Sequence, residues 1–408
     1  MHLSSLLSIF TSITVADGLS SPHTLHLQRR AVSNGTHLIS ANINLAEKRD
    51  SLEQTYLANV LAAGYICLND TSNATLPQEA CAYGSYTYQT TSTFRPIQDV
   101  FFGEQLGAGR VSGVLGLDDV TLGSITVKGQ HLGVANKSSN FGDGFYCGIL
   151  GLGFPSMTSG HSGSIITAGN NTFAFNAINY SPLINSMAEQ GSIEPYFGIA
   201  LERTPFNLSS ASGGYLTLGG IPPVLHNSNL SSVPVQRLPL PVNETGNQPN
   251  AYSYWAINIE GVSFGTSADS HNLITNFTGF PAVIDTGNFW NFIDFTVADQ
   301  VNSLFEPVGQ WNMETNPITY KIDCNAKAPA FGFKIGGQTF FHNGEDLIYS
   351  LGDESCMSSL VPFQGVSVNG QTGTIIGDAF LKNAVAVFDF GKNEMRFAAR
   401  TNTNLSLF

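Results

Sequence analysis

Short apolar runs separated by turn-forming residues fill the sequence from Tyr56 onward. The runs alternate apolar and polar side chains or stay apolar for a few residues, as in segments 114–117, 120–122, 215–218 and 254–259. Gly, Asn, Asp and Pro bound them, and glycine contributes 42 of the 408 residues. Alternation matches the two-residue period of a β-strand, and the boundary residues favour turns, so the pattern predicts a mainly β protein.

Helical spacing is rare in this chain. Leu183, Met187 and Ala188 predict one short helix before Gly191, and residues 297–305 predict another. Charged residues make up only 12% of the chain, which is unlike the composition of a helical bundle. We therefore expect an all-β architecture with few helices.

An apolar-apolar-Gly element occurs twice, at residues 148–153 (GILGLG) and 374–378 (TIIGD). Each segment alone is typical of a buried strand that ends in a turn. Their repetition predicts an internal duplication, with two β lobes of similar topology related by a pseudo-twofold axis. A chain of this length can give each lobe its own core, and we expect the lobes at residues 50–199 and 200–408.

The N-terminal region has the features of a processed leader. Residues 3–15 form a short apolar run that ends in small residues, which predicts a signal peptide over residues 1–16; the alternative is a buried N-terminal strand. Residues 17–49 are polar and contain the basic pairs Arg29-Arg30 and Lys48-Arg49. These pairs are either solvated surface charge or processing sites, and we favour a propeptide over 17–49 and a mature N-terminus at Asp50.

Composition and sequons point to the secretory route. The net charge of −13 makes nucleic-acid or membrane-surface binding improbable, and no segment approaches 18 uninterrupted apolar residues. Five cysteines in an oxidising compartment allow two disulfides and leave one thiol over. Eleven Asn-x-Ser/Thr acceptors predict a secreted glycoprotein: Asn34, Asn69, Asn73, Asn136, Asn170, Asn179, Asn207, Asn229, Asn243, Asn276 and Asn404.

The motif with most chemical content is AVIDTG at residues 282–287. An isolated Asp-Thr-Gly is usually a surface turn. Here an apolar strand carries Asp285 into the interior, Gly287 permits the turn that follows, and the apolar element ending at Gly377 could supply a supporting strand. The context therefore favours a functional carboxylate over a surface turn.

With this motif in place, the chain resembles the fungal pepsin-like aspartic endopeptidases over most of residues 81–400. The segments that carry the resemblance are 145–155 (FYCGILGLGFP), 183–193 (LINSMAEQGSI), 212–221 (SGGYLTLGGI), 255–262 (WAINIEGV), 282–287 and 373–397 (GTIIGDAFLKNAVAVFDFGKNEMRF). The resemblance implies a bilobal pepsin-like acid protease fold with an interlobe cleft and endoproteolysis of a polypeptide substrate. It also implies a monomer without a metal ion or organic cofactor.

The family's chemistry needs two carboxylates, one from each lobe. Two close carboxylates cannot both ionise, so one stays protonated and polarises the peptide carbonyl while its partner deprotonates a water molecule. The resemblance assigns Asp285 to the second lobe, supported by Thr286 and Gly287. Asn288 stands where the family usually has Ser or Thr.

The first-lobe carboxylate has no counterpart in this sequence. Residues 56–60 resemble the family's opening strand, but Leu61 and the residues that follow contain no Asp-Thr-Gly. Asp70 begins a superficial echo of the motif, but it lies between Cys67 and Cys81 beside two sequons, which is typical of an exposed disulfide loop. Asp99, Asp118, Asp119 and Asp143 sit among turn residues and are no better placed.

The missing carboxylate leaves two hypotheses for function. The first is a secreted aspartic endopeptidase that is inactive as written. The second is a catalytically dead homologue that binds a protein or a polysaccharide in its cleft.

Two further assignments follow from the resemblance. Aligning residues 107–113 with the family's flap hairpin assigns the flap to Leu106, Gly107 and Gly109, with leucine at the usual tyrosine position; the alternative is a shifted register set by Phe101 or Phe102. A disulfide between Cys324 and Cys356 matches a bridge common in the family. Cys67 and Cys81 are then expected to pair, leaving Cys147 as a free apolar thiol.

Overall fold

A computed structural model shows how these segments are arranged. It describes residues 22–33, 38–44, 60–63, 92–106, 109–139, 148–163, 177–203, 210–227, 229–238, 251–269, 273–313, 315, 318–352, 355–362, 367–368, 371–372 and 374–401. The predicted signal peptide, Asp70 and Asp143 lie outside these ranges, as do Cys67, Cys81 and Cys147.

One seven-stranded sheet is formed by the N-terminal half of the chain. Its spatial order is β7-β3-β6-β5-β4-β8-β9. The strands are β3 (Val60–Ala63), β4 (Arg95–Leu106), β5 (Gly109–Leu122), β6 (Ile125–Ser139), β7 (Gly148–Leu150), β8 (Gly160–Ser162) and β9 (Ala177–Ile178). All neighbours are antiparallel except β3 and β6, so the first repeated apolar element, β7, lies beside β3 at the sheet edge.

A second seven-stranded sheet joins distant parts of the chain in the order β12-β29-β28-β10-β11-β1-β2. Its strands are β1 (His23–Ser33), β2 (Leu38–Asn44), β10 (Tyr196–Leu201), β11 (Ser210–Leu218), β12 (Ser231–Pro234), β28 (Ala384–Asp389) and β29 (Glu394–Ala399). The middle strands are apolar and fully buried, as Ala200, Val385 and Val387 show. We call it the connecting sheet, because it joins strands from both ends and the middle of the chain.

Small sheets make up the rest of the second lobe. One contains β13 (Ala256–Ile259), β16 (Phe280–Ile284) and β27 (Thr374–Ile376); another contains β15 (Ile274–Asn276), β14 (Gly261–Gly265), β20 (Ala330–Ile335) and β21 (Gln338–Phe341). A third contains β18 (Gln310–Asn312), β19 (Thr319–Ile322), β23 (Ser355–Ser358) and β22 (Ile348–Gly352). Two pairs complete it: β17 (Asn291–Ile293) with β24 (Leu360–Pro362), and β25 (Ser367–Val368) with β26 (Gln371–Thr372).

The two predicted helices are present, and the boundaries of the second differ from the prediction. α1 is Leu183–Glu189 and α2 is Phe295–Asn302. α2 begins earlier than predicted because the Asp294 carboxylate caps it, accepting hydrogen bonds from the backbone N–H groups of Thr296 and Val297. A third helix, the one-turn α3 (Asp378–Leu381), was not predicted.

Trp255 packs against the first repeated apolar element and the residues that follow it. It is 1% exposed, and its indole N–H donates to the carbonyl oxygen of Leu152 at 2.8 Å. Its ring lies 4.4 Å from that of Phe154 and meets Phe197 and Phe388 edge-on. The segment around Leu152 and Phe154 is thereby packed against the residue before β13, the strand that pairs with β16.

Part of the predicted propeptide is a strand of the connecting sheet. β1 pairs antiparallel with β11, and Leu25 and Leu27 are buried in the main core. The backbones of Arg29 and Arg30 are paired on both sides, with β11 and with β2. In the full-length chain this dibasic pair therefore lies within regular sheet.

Candidate active site

Two parallel strands bring Asp285 to its position. β16 and β27 are adjacent, with Ile284 opposite Ile376, so the residues that follow each strand emerge at the same edge. The backbone N–H of Asp285 donates to the carbonyl oxygen of Ile376 at 2.9 Å. The supporting strand predicted for the apolar element before Gly377 is thus in contact with the Asp285 loop.

The turn after Asp285 is held by backbone hydrogen bonds. The N–H of Gly287 donates to Asp285 Oδ1 at 2.9 Å, and the Asn288 carbonyl accepts from the N–H of Asp378 at 2.8 Å. At Gly377 a Cβ atom would lie 2.0 Å from the Asn288 carbonyl oxygen, so only glycine allows this approach. Thr286 is 6% exposed. The loop is fixed from both sides before any ligand binds.

Burial controls the ionisation of Asp285. The side chain is 7% exposed, and loss of solvation raises its pKa to about 6, while the hydrogen bond from Gly287 acts in the opposite direction. A carboxyl group with such a pKa changes its protonation state in mildly acidic solution, as a proton-transferring group must. Asp285 therefore has the properties expected of one half of the family's carboxyl pair.

Asp378 is a second carboxyl group, half-buried, that the sequence did not single out. Its Oδ1 is enclosed and has no hydrogen-bond partner among the described residues. Burial raises the pKa of Asp378, the nearby positive charge of Lys382 opposes this, and the negative charge of Asp285 adds to it. The sequence did offer a signal for Asp378, because this acidic residue ends the second apolar element, at residues 374–378.

A hydrogen-bonded pair of side chains supports the Gly377 turn from behind. Asn291, the first residue of β17, is fully buried, and its Oδ1 accepts from the Gly377 N–H at 3.0 Å. Its Nδ2 lies 3.0 Å from His342 Nε2, and His342 Nδ1 lies 3.1 Å from the Phe331 carbonyl oxygen. Neither Asn291 nor His342 was predicted as a site residue.

Aromatic side chains lie on the residues that follow the loop. The ring of Phe289 is 4.4 Å from that of Tyr349, and Trp290 also packs against Tyr349. The ammonium of Lys382 lies 4.8 Å from the centre of the Phe289 ring. Apolar surface next to the carboxyl groups suits the apolar side chains of a peptide.

The residues assigned to the flap lie at the end of a β-hairpin. β4 and β5 pair along their length, and Leu106 is opposite Gly109. Gly107 and Ala108, the two residues between them, lie outside the described ranges. The hairpin is present, and its function as a flap remains a prediction.

Among the other aspartates, the placement of Asp118 and Asp119 in a turn was wrong, because both lie within β5. Asp118 is fully buried, and its carboxylate accepts hydrogen bonds from the Thr93 hydroxyl and the Asp119 N–H. Asp119 accepts from the Gly129 N–H at 3.0 Å. The Asp119 carboxylate therefore stabilises the β5–β6 hairpin, and the Asp118 carboxylate joins β5 to the residues before β4. Asp99 has a positive φ of 55° at an irregularity in β4, which is the turn-like backbone expected of it.

Cys324 and Cys356 form a disulfide, the pair that the resemblance implies. Their Cα atoms are 5.2 Å apart, and Cys356 lies in β23 at the centre of a small sheet. The bond closes a loop in the second lobe, away from the proposed chemistry.

Known proteins match this chain over most of its length. The model of the eukaryotic aspartyl protease family matches residues 69–400. A probable aspartic-type endopeptidase from Aspergillus fumigatus is 36% identical over 349 residues, covering 83% of this chain and 73% of that protein. Cathepsin E from Aquarana catesbeiana is 27% identical over 328 residues, covering 78% and 70%. The vacuolar aspartic protease of Candida albicans is 26% identical over 339 residues, covering 80% and 69%.

The fold has a counterpart among solved structures. The crystal structure of an aspartic proteinase from Irpex lacteus superposes with a TM-score of 0.63 and 19% identity, covering 95% of this chain and 99% of that one. The predicted mainly β, bilobal pepsin-like fold is confirmed. The chain belongs to the eukaryotic aspartyl protease family, whose members are aspartic-type endopeptidases acting on polypeptides.

The family match begins at residue 69. The segment in which the first catalytic loop is expected therefore lies outside the match. Within the residues described by the structure, no helix is long and apolar enough to cross a membrane.

Proposed function

We propose that this chain is a secreted, monomeric aspartic protease homologue that retains the second-lobe half of the catalytic site and does not hydrolyse peptides. The observation that carries the proposal is Asp285, which is buried in a braced loop with its pKa raised to about 6. Between Val60 and the Cys67–Cys81 region the sequence offers no Asp-Thr-Gly that could supply the opposing carboxyl. Thr286 is assigned to bracing the loop across the lobe interface.

The missing carboxyl matters because the two acids have different tasks. One removes a proton from water, and the other donates a hydrogen bond to the peptide carbonyl oxygen as negative charge develops there. Asp378 does not take over the second task, because it lies on the same lobe as Asp285 and its Oδ1 is enclosed by protein. Loss of one member of a cooperating catalytic set removes most of the rate acceleration.

Secretion is supported by the sequence of the leader and by the sequons. The predicted order is a signal peptide over residues 1–16, a propeptide over 17–49 and two lobes at 50–199 and 200–408. Of the two dibasic pairs, Arg29-Arg30 lies inside the paired strand β1. A processing enzyme needs an accessible, extended backbone, so Lys48-Arg49 is the site we assign.

An acid-protease assay on the purified 408-residue chain tests the proposal. The expected result is no cleavage of a denatured protein substrate from pH 3 to pH 6, with or without a transition-state-mimicking inhibitor. Inhibitor-sensitive cleavage that disappears in Asp285→Asn would show that a first-lobe acid exists, and Asp70→Asn would then locate it. The transcript sequence across the Val60–Leu61 junction distinguishes a dead homologue, which binds protein or polysaccharide in its cleft, from an active protease with an incomplete gene model.

A further inference from the structure

We propose that His342 and Asn291 form an acid-sensitive switch that holds the Gly377 turn, and with it the support of the Asp285 loop, only while His342 is neutral. These residues lie in one hydrogen-bonded row, which runs from the Phe331 carbonyl through His342 and Asn291 to the Gly377 N–H. The switch is independent of peptide hydrolysis, so it operates whether or not the chain is a working protease.

The hydrogen-bond pattern fixes the proton position on His342. The Gly377 N–H can only donate, so the atom of Asn291 that faces it is the acceptor Oδ1, at 3.0 Å. The amide NH₂ of Asn291 then points at His342 Nε2, at 3.0 Å, which must accept. The ring proton is therefore on Nδ1, where it donates to the Phe331 carbonyl oxygen at 3.1 Å. Every member of the row is satisfied only in this tautomer.

A second proton on His342 breaks the row at a defined place. The proton binds to Nε2, which then becomes a hydrogen-bond donor. It faces the Asn291 NH₂ group, which is also a donor, so the hydrogen bond between them is lost. Rotation of the Asn291 amide relieves the conflict by turning Oδ1 towards His342. The same rotation presents the NH₂ group to the Gly377 N–H, which is buried and loses its acceptor. One proton is thereby exchanged for one hydrogen bond at the turn.

The surroundings of His342 favour the neutral ring. The side chain is 7% exposed and packs against the rings of Phe331, Phe333 and Phe380. Burial lowers the pKa of His342 to about 4. The hydrogen bond to Phe331 and the negative charge of Asp346 raise this pKa, and the positive charge of Arg203 lowers it. Arg203 and Asp346 form a buried ion pair with atoms 2.6 Å apart, so their charges largely cancel at His342.

The consequence reaches the Asp285 loop through two adjacent residues. Ile376, immediately before Gly377, accepts the hydrogen bond from the Asp285 N–H, and Asp378, immediately after it, donates to the Asn288 carbonyl. Releasing Gly377 therefore loosens both backbone links to the loop. Lys382 and the Asp285 and Asp378 carboxyls are the charged groups around this turn.

Nuclear magnetic resonance on the full chain labelled at histidine and glycine tests the switch without any activity measurement. Above the transition, His342 should show a protonated Nδ1 and a bare Nε2. The Gly377 amide protection factor should fall about tenfold as His342 titrates near pH 4, a factor typical of one lost hydrogen bond. A Gly377 protection factor that stays constant while His342 titrates would overturn the proposal, as would a ring protonated at Nε2 in the neutral protein.

Two variants separate the switch from a merely structural role. In Asn291→Asp, both carboxylate oxygens accept, one from Gly377 and one from protonated His342, so His342 should stay charged above pH 6.5 and the step at Gly377 should vanish. His342→Phe should also remove the step. The matched control is His161→Phe, which removes a buried histidine bonded to the Gly103 carbonyl in the other lobe and should leave the step unchanged. An unaltered step in Asn291→Asp would contradict the switch.

Discussion

Asp285 and Ile376 are joined by a backbone hydrogen bond of 2.9 Å across two parallel strands, although 91 positions separate them in the sequence. This bond places the loop that carries Asp285 against the turn that carries Asp378. The two carboxyl groups consequently influence each other electrostatically.

The first prediction concerns the pH dependence of stability. The folded-state pKa of Asp285, about 6, lies above its ordinary value of 3.8, so the folded form binds the proton more tightly than the unfolded form. The contribution of Asp285 to the free energy of unfolding should therefore be highest below pH 3.8. It should fall by about 3 kcal/mol as the pH rises through 6. Asp285→Asn should remove this loss.

Urea unfolding of both proteins at pH 4 and pH 7 measures this effect. The exposed Asp323→Asn is the matched control, because it removes an acid without removing a buried one. Equal pH dependence in the wild type and in Asp285→Asn would show that ionisation of Asp285 does not destabilise the folded protein.

The second prediction concerns glycosylation. Asn276 and Asn229 are exposed, whereas Asn179 is partly buried and its Oδ1 is enclosed. A glycan needs an accessible amide in the folded chain, so glycopeptide mapping of secreted protein should find Asn276 and Asn229 occupied and Asn179 empty. Full occupancy of Asn179 would contradict the structure of this segment.

The third prediction concerns the disulfide. Cys324 and Cys356 are separated by 32 positions, and opening such a loop enlarges the conformational freedom of the unfolded chain. The variant with both cysteines changed to serine should lose roughly 3–4 kcal/mol of unfolding free energy. Denaturant unfolding measures it; a loss below 1 kcal/mol would mean that the bond contributes little.

The fourth prediction concerns the leader strand. Leu27 is fully buried, so Leu27→Ala should lower the unfolding free energy of the full chain by about 2–5 kcal/mol. The exposed neighbour His26, changed to lysine, is the control for altering the same strand.

N-terminal sequencing of the secreted form should begin at Asp50, and a start before residue 30 would rule out the assigned processing site.

The sequence was sufficient for the fold and for the buried position of Asp285 after a strand, because alternation and the AVIDTG motif are local signals. Asp378 and the Asn291–His342 pair were missed because their roles depend on a parallel strand register between segments far apart in the chain. Asp118 was misplaced because it follows a glycine-rich run that is typical of a turn. The strand β1 was missed because the polar leader suggested processing, although Leu25 and Leu27 alternate with Thr24 and His26 as strand residues do.

We propose that a single absent segment separates this chain from an active protease. The direct measurement inserts a family-type first-lobe loop containing Asp-Thr-Gly between Val60 and Leu61 and compares its acid proteolysis with that of the unmodified chain. We predict no cleavage by the unmodified chain, cleavage by the restored chain, and its loss when Asp285→Asn is added. Inhibitor-sensitive cleavage by the unmodified chain would contradict the account.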